Sequence, residues 1–108
     1  MDEREFIALA DECLARVARW LDDCDPDELD YSTADGSIAM EFADGAKFIL
    51  SRNLAMKQMW LAAAANGYHY IFDETASSWR DDRDGHDLHS KLAQVIAVKL
   101  GHPVESVT

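Results

Sequence analysis

Residues 29–50, Leu29-Asp30-Tyr31-Ser32-Thr33-Ala34-Asp35-Gly36-Ser37-Ile38-Ala39-Met40-Glu41-Phe42-Ala43-Asp44-Gly45-Ala46-Lys47-Phe48-Ile49-Leu50, alternate in two-residue steps between apolar and polar side chains. That period belongs to a strand with one buried face. Leu29, Tyr31 and Thr33 share one side, and Ile38, Met40 and Phe42 continue it after Asp35-Gly36. Asp-Gly between alternating runs is a strong two-residue hairpin signal, and Asp44-Gly45 repeats it before Phe48 and Leu50. Two tight hairpins in succession predict an antiparallel meander.

Downstream, Gln58-Met59-Trp60-Leu61-Ala62 reads as a fourth strand. The Ala63–Ala65 run ends at Asn66-Gly67, a turn pair, and Tyr68-His69-Tyr70-Ile71-Phe72 reads as a fifth strand. Ser78-Trp79-Arg80 is a short sixth. Upstream, from about Asp2 to Leu21, the period changes to 3.6: Phe6, Leu9, Ala10, Cys13, Leu14, Val17, Ala18 and Leu21 form the apolar stripe of a helix that Pro26 stops from continuing. A second helix follows Gly85, with Leu88, Leu92, Val95, Ile96 and Leu100 on its stripe and Asp84 as the expected cap. Gly101-His102-Pro103 closes it, and the tail over 102–108 is expected to fray. The fold class is therefore α+β: a two-layer α/β sandwich, an antiparallel sheet of five to six strands with the N- and C-terminal helices on one face and the other face bare.

The 108 residues are enough for one domain, and 48% hydrophobic with 29% charged is a globular composition. A formal charge of -11 works against nucleic acid and anionic membranes as partners and steers in cations. No segment approaches the roughly 20 apolar residues of a membrane span. The acidic N-terminus resembles neither a secretory nor an organellar leader. Two cysteines, Cys13 and Cys24, do not make a disulfide framework, so a reducing, cytoplasmic setting is expected.

The charge is concentrated. Asp22, Asp23, Asp25, Asp27, Glu28, Asp30 and Asp35 fall in one short run without a Lys or Arg. Like charges about 4 Å apart repel by about 1 kcal/mol even in water, and Asp22 and Asp23 sit at the wrong end of the helix dipole. A run of acids is commonly just a solvated loop. The alternative is a patch kept for something positive, a basic protein face or a metal ion. Carboxylate oxygens are hard ligands suited to Ca, Mg, Mn or Fe ions, and with no EF-hand spacing such binding is expected to be shallow and mostly through water. Burial of Met59 and Leu61 leaves Gln58 and Trp60 on the opposite face, where an exposed Trp is an anchor for a partner; the reverse register would put Trp60 in the core. His69 is also placed on the bare face. His86-x-x-His89 could share a helix face and reach a metal, although two such His are often plain surface residues. No nucleophile–base motif and no phosphate loop is present.

Several of these stretches resemble the frataxin family in its bacterial, CyaY-like form: Leu21-Asp22-Asp23-Cys24-Asp25 closing helix one, the Asp44-Gly45 hairpin, Gln58-Met59-Trp60-Leu61-Ala62, Asn66-Gly67-Tyr68-His69-Tyr70, Trp79 and Asp84-Gly85. The resemblance spans Glu5 to Leu100. It implies an accessory protein of iron–sulfur cluster assembly that binds Fe2+ and Fe3+ weakly on an acidic ridge formed by Asp22, Asp23, Asp25, Asp27, Glu28 and Asp30. It also implies docking of Asp22, Asp23 and Asp25 on the cysteine desulfurase, and approach of Gln58, Trp60 and His69 to the cluster scaffold protein. The metal-free chain is expected to be monomeric and not an enzyme. Two rivals are a ferroxidase using acids with His86 or His89, and a metal-independent acidic protein-binding module.

Overall fold

The computed structural model describes residues 1–107, in the order α1 (Glu3–Asp22), β1 (Leu29–Ala34), β2 (Ser37–Phe42), β3 (Lys47–Asn53), β4 (Gln58–Ala63), β5 (Asn66–Asp73), β6 (Ser78–Asp81) and α2 (Leu88–Leu100). The six strands form one antiparallel sheet in sequence order, β1-β2-β3-β4-β5-β6. Both helices lie on the same face, as the two-period pattern requires.

Asp2 caps α1 by accepting the Glu5 N–H at 2.8 Å. The helix then buries Phe6, Ala10, Cys13, Val17 and Leu21, a single stripe along its length. Facing it are the inward residues of the sheet, among them Ile38, Met40, Leu50, Met59, Leu61, Tyr70 and Trp79, all at most 2% exposed. Leu88, Leu92 and Ile96 of α2 complete the core. Each such side chain contributes about 1.5–3 kcal/mol by leaving water. Cys13 is one of them: its free thiol is buried, and burial pushes its pKa up to about 12. It therefore behaves as a small apolar residue.

Four expectations need correction. The β4–β5 turn is Ala64-Ala65, with Ala63 opposite Asn66, and Asn66-Gly67 lie inside β5. A turn at Asn66-Gly67 would set Met59 opposite Glu74; the observed register sets it opposite Tyr70 in the core. Burial outweighs the local turn preference, and Ala64 accepts a left-handed φ of 54° in consequence. The cap of α2 is Asp87, which accepts the Ser90 N–H at 2.9 Å, while Asp84 stays in the preceding turn. Asp44-Gly45 is not a two-residue turn: Glu41 pairs with Lys47 and the Phe42 N–H donates to the Ala46 carbonyl, so residues 43–45 close a three-residue loop that keeps Phe48 on the core side with Phe42. Over residues 102–107 the tail does not fray; residue 108 lies outside the described residues. Trp20 Nε1 donates to the Glu105 carbonyl at 3.1 Å, and Val107 is buried at 8% exposure.

Two cations, Arg52 and Lys99, tie the helices to the sheet. Arg52 on β3 reaches Asp11 of α1 at 2.6 Å and Asp35 of the β1–β2 turn at 3.3 Å. Lys99 of α2 reaches Asp44 of the β2–β3 turn at 2.5 Å, which lowers the Asp44 pKa.

Candidate functional site

The six acids lie where α1 ends and the edge strand β1 begins. Asp22 and Asp23 close the helix, Asp25, Asp27 and Glu28 form the turn, and Asp30 is on β1. β1 has only β2 as a neighbour, so its outer edge is open. Alternation divides the acids between two faces. Leu29 is buried in the core and Tyr31 points to the helix side, where its hydroxyl donates to Asp22 Oδ1. Asp30 therefore projects to the bare face, directly opposite Glu41. The acids form a band that wraps around an edge.

Their partners are few. Asp25 accepts the Asp27 N–H at 2.9 Å, and Asp30 accepts the Tyr31 N–H at 2.8 Å. Glu28 meets His102 Nε2 at 2.9 Å, while His102 Nδ1 faces the Pro103 carbonyl at 2.9 Å. Both ring nitrogens of His102 thus face acceptors, and its pKa is raised, first by the Pro103 carbonyl and then by Glu28. The hydrogen bond to Asp22 likewise raises the Tyr31 pKa. Among the described residues, no Lys or Arg lies within 4.0 Å of any of the six carboxylates, although Asp11, Asp35, Glu41, Asp44 and Asp81 all have one. Nor do the six form a cage: the one group of three donors within 4.8 Å among the described residues lies elsewhere. Hard, spread-out oxygens without a Lys or Arg beside them fit a cation held weakly through water, and fit a basic protein face equally well.

The bare face carries the second set. Trp60 and His69 are directly opposite on β4 and β5, and their rings stack at 4.5 Å with 22° between planes. His69 Nδ1 lies 3.8 Å from Asp82. Ile49 and Ile71, 42% and 49% exposed, share this face. Trp60 itself is partly buried rather than fully exposed, because His69 covers one side of it. The expectation for Gln58 is corrected. Gln58 is buried at 9% exposure, and its Oε1 accepts the Trp60 Nε1–H at 2.8 Å. Through that bond the Gln58 side chain holds the indole in place.

His86 and His89 do not converge. His86 precedes α2 and sits beside Tyr70 and Asp84, while His89 is buried at 6% exposure, 3.7 Å from Cys13 Sγ. Helical spacing between them was lost because the helix starts at Leu88. The sequence reading missed Tyr31 and His102. Alternation from Leu29 pointed to Tyr31; nothing in the sequence pointed to His102, which arrives by a return of the tail.

Fold and surface together define a class: a small two-layer α/β domain whose candidate site is an acidic edge, free of Lys and Arg among the described residues, beside a bare sheet face. The family model of the frataxin-like domain matches residues 1–102. The chain is 41% identical over 105 residues to the iron-sulfur cluster assembly protein CyaY of Dechloromonas aromatica, covering 96% of this chain and 97% of that one. It is 34% identical to the protein of the same name from Pseudomonas aeruginosa, covering 97% and 96%. A solved frataxin structure from Psychromonas ingrahamii superposes with a TM-score of 0.86 at 28% identity, covering 97% of each chain. The chain belongs to the frataxin-like family.

Proposed function

We propose that this protein serves iron–sulfur cluster assembly as a non-enzymatic accessory, taking up iron weakly on the acidic edge and docking that edge on a basic surface of the cysteine desulfurase. The observation that carries the proposal is the absence, among the described residues, of any Lys or Arg beside the six edge carboxylates in a chain of net charge -11. Repulsion left unrelieved by the fold is relieved by an incoming cation or basic face. The names of the relatives, which place them in cluster assembly, support the same role. In this reading the Trp60–His69 stack, flanked by Ile49 and Ile71, meets the scaffold protein, with Gln58 as the support beneath Trp60. An exposed apolar group around an ordered Trp is the usual anatomy of a contact centre.

Ferrous iron titrated into labelled protein should broaden amide signals across residues 22–30. Asp22→Lys with Asp25→Lys should abolish desulfurase binding while the fold survives, and unchanged affinity would remove the edge from that role. Trp60→Arg should weaken scaffold contact and leave iron uptake intact. Catalytic consumption of oxygen with ferrous iron would instead favour the ferroxidase reading.

A further inference from the structure

The strand β6 ends on Asp81, whose side chain is 1% exposed. Its Oδ1 accepts the N–H groups of Arg83 at 2.8 Å and Asp84 at 3.1 Å, shaping the turn into α2. Its Oδ2 is buried with no hydrogen-bond partner. A buried carboxylate oxygen left without a partner is costly, and the group facing it is the imidazole of His86, with Nε2 at 3.9 Å. The other nitrogen, Nδ1, lies 2.6 Å from Asp84 Oδ1, which also accepts the His86 backbone N–H at 3.0 Å. Asp84 thereby fixes the tautomer that carries its proton on Nδ1 and leaves the Nε2 lone pair turned inward. Only the Tyr70 hydroxyl, 2.8 Å away, engages that lone pair. With Nε2 as the acceptor, the Tyr70 hydroxyl is the donor of that hydrogen bond.

A carboxylate holding the far side of an imidazole whose near side faces a second, unsatisfied carboxylate is the arrangement that orients histidine toward a metal ion. One donor from each of Asp81, Asp84 and His86 lies within 4.8 Å of the others. We propose that Asp81 Oδ2 and His86 Nε2 bind a divalent transition-metal ion, with Asp84 as the positioning residue behind the imidazole and water completing the coordination. A mixed imidazole–carboxylate set favours the Zn2+, Fe2+ and Co2+ class over Ca2+ and Mg2+. His86 at 23% and Asp84 at 71% side-chain exposure give the ion a route from solvent, and the Tyr70 hydroxyl can turn to a coordinated water. The site stands apart from the acidic edge. β6 and β1 are opposite edges of the sheet, about 24 Å apart at five strand spacings.

Co2+ titrated into the full chain and followed by amide and imidazole NMR tests this. Wild type should show paramagnetic broadening centred on residues 81–86 and Tyr70, saturating separately from any at residues 22–30. His86→Ala should abolish it, and Asp84→Asn, an exposed change that leaves the core untouched, should weaken Co2+ there about tenfold. Asp22→Lys with Asp25→Lys should leave it unchanged, so failure here and failure of the acidic edge are distinguishable. A wild-type protein with no broadening at 81–86, or broadening that survives His86→Ala and Asp84→Asn alike, would overturn the site.

Discussion

His89 occupies a place that its neighbours decide. Set between Cys13 and the start of α2 at 6% exposure, it is kept neutral by desolvation, and next by the Arg16 charge, with a pKa lowered from 6.5 to about 4. The unfolded chain takes up this proton near pH 6.5 and the folded one does not, so folding loses stability as pH falls from 6.5 towards 4. At pH 5 the loss from this one group is roughly 2 kcal/mol. Urea denaturation at pH 7 and pH 5 should show His89→Gln losing less stability between the two than wild type; equal losses would contradict the assignment. His102 has the opposite sign. Its pKa is raised by the Pro103 carbonyl and then by Glu28, so these two contacts make a contribution present below pH 6.5 and lost as pH rises through the folded value. The two histidines look alike in the sequence and differ because one is enclosed by the core and the other faces a carboxylate.

At the level of elements, the turns carry the clearest consequences. Ala64 holds φ at 54° because the β4–β5 register, not its own preference, sets the backbone. A left-handed conformation costs a non-glycine residue about 1–2 kcal/mol, so Ala64→Gly should raise the urea midpoint by the equivalent of about 1 kcal/mol. A fall would mean that the strain has another origin. Gly36 is the reverse case: at φ 77°, an added Cβ would meet Arg52 Nε at 2.8 Å. Gly36→Ala should therefore strain the turn and disturb the guanidinium that joins Asp11 to Asp35. Asp87→Ala, which removes the cap of α2, should cost about 1 kcal/mol in thermal or urea unfolding, whereas no loss would return the cap to Asp84.

Across the whole molecule, charge is distributed unevenly by design of the fold's edges. Arg52 and Lys99 are used between layers, while the α1–β1 corner is left with acids and one histidine. Replacing Asp22 and Asp25 by Lys should accordingly stabilise the isolated protein at low salt, because like-charge repulsion is relieved, and the gain should shrink as ionic strength rises. Melting temperatures at low and at physiological salt measure this; a loss of stability at low salt would show that the corner is not under electrostatic strain.

Periodicity alone determined the helix–sheet–helix order, the Asp35-Gly36 hairpin, the inward faces of α1, β2 and β3, and the crowding of acids near residue 22, because all of these are local consequences of which side chains avoid water or repel one another. Tertiary structure decided the rest: the Ala64-Ala65 turn, the burial of Gln58 under Trp60, the separation of His86 from His89, the return of the tail to Trp20, and the meeting of Asp81 with His86. Each depends on groups brought together from different strands or helices, whose register is chosen by burying the core as a unit, and no window of neighbouring residues contains that balance.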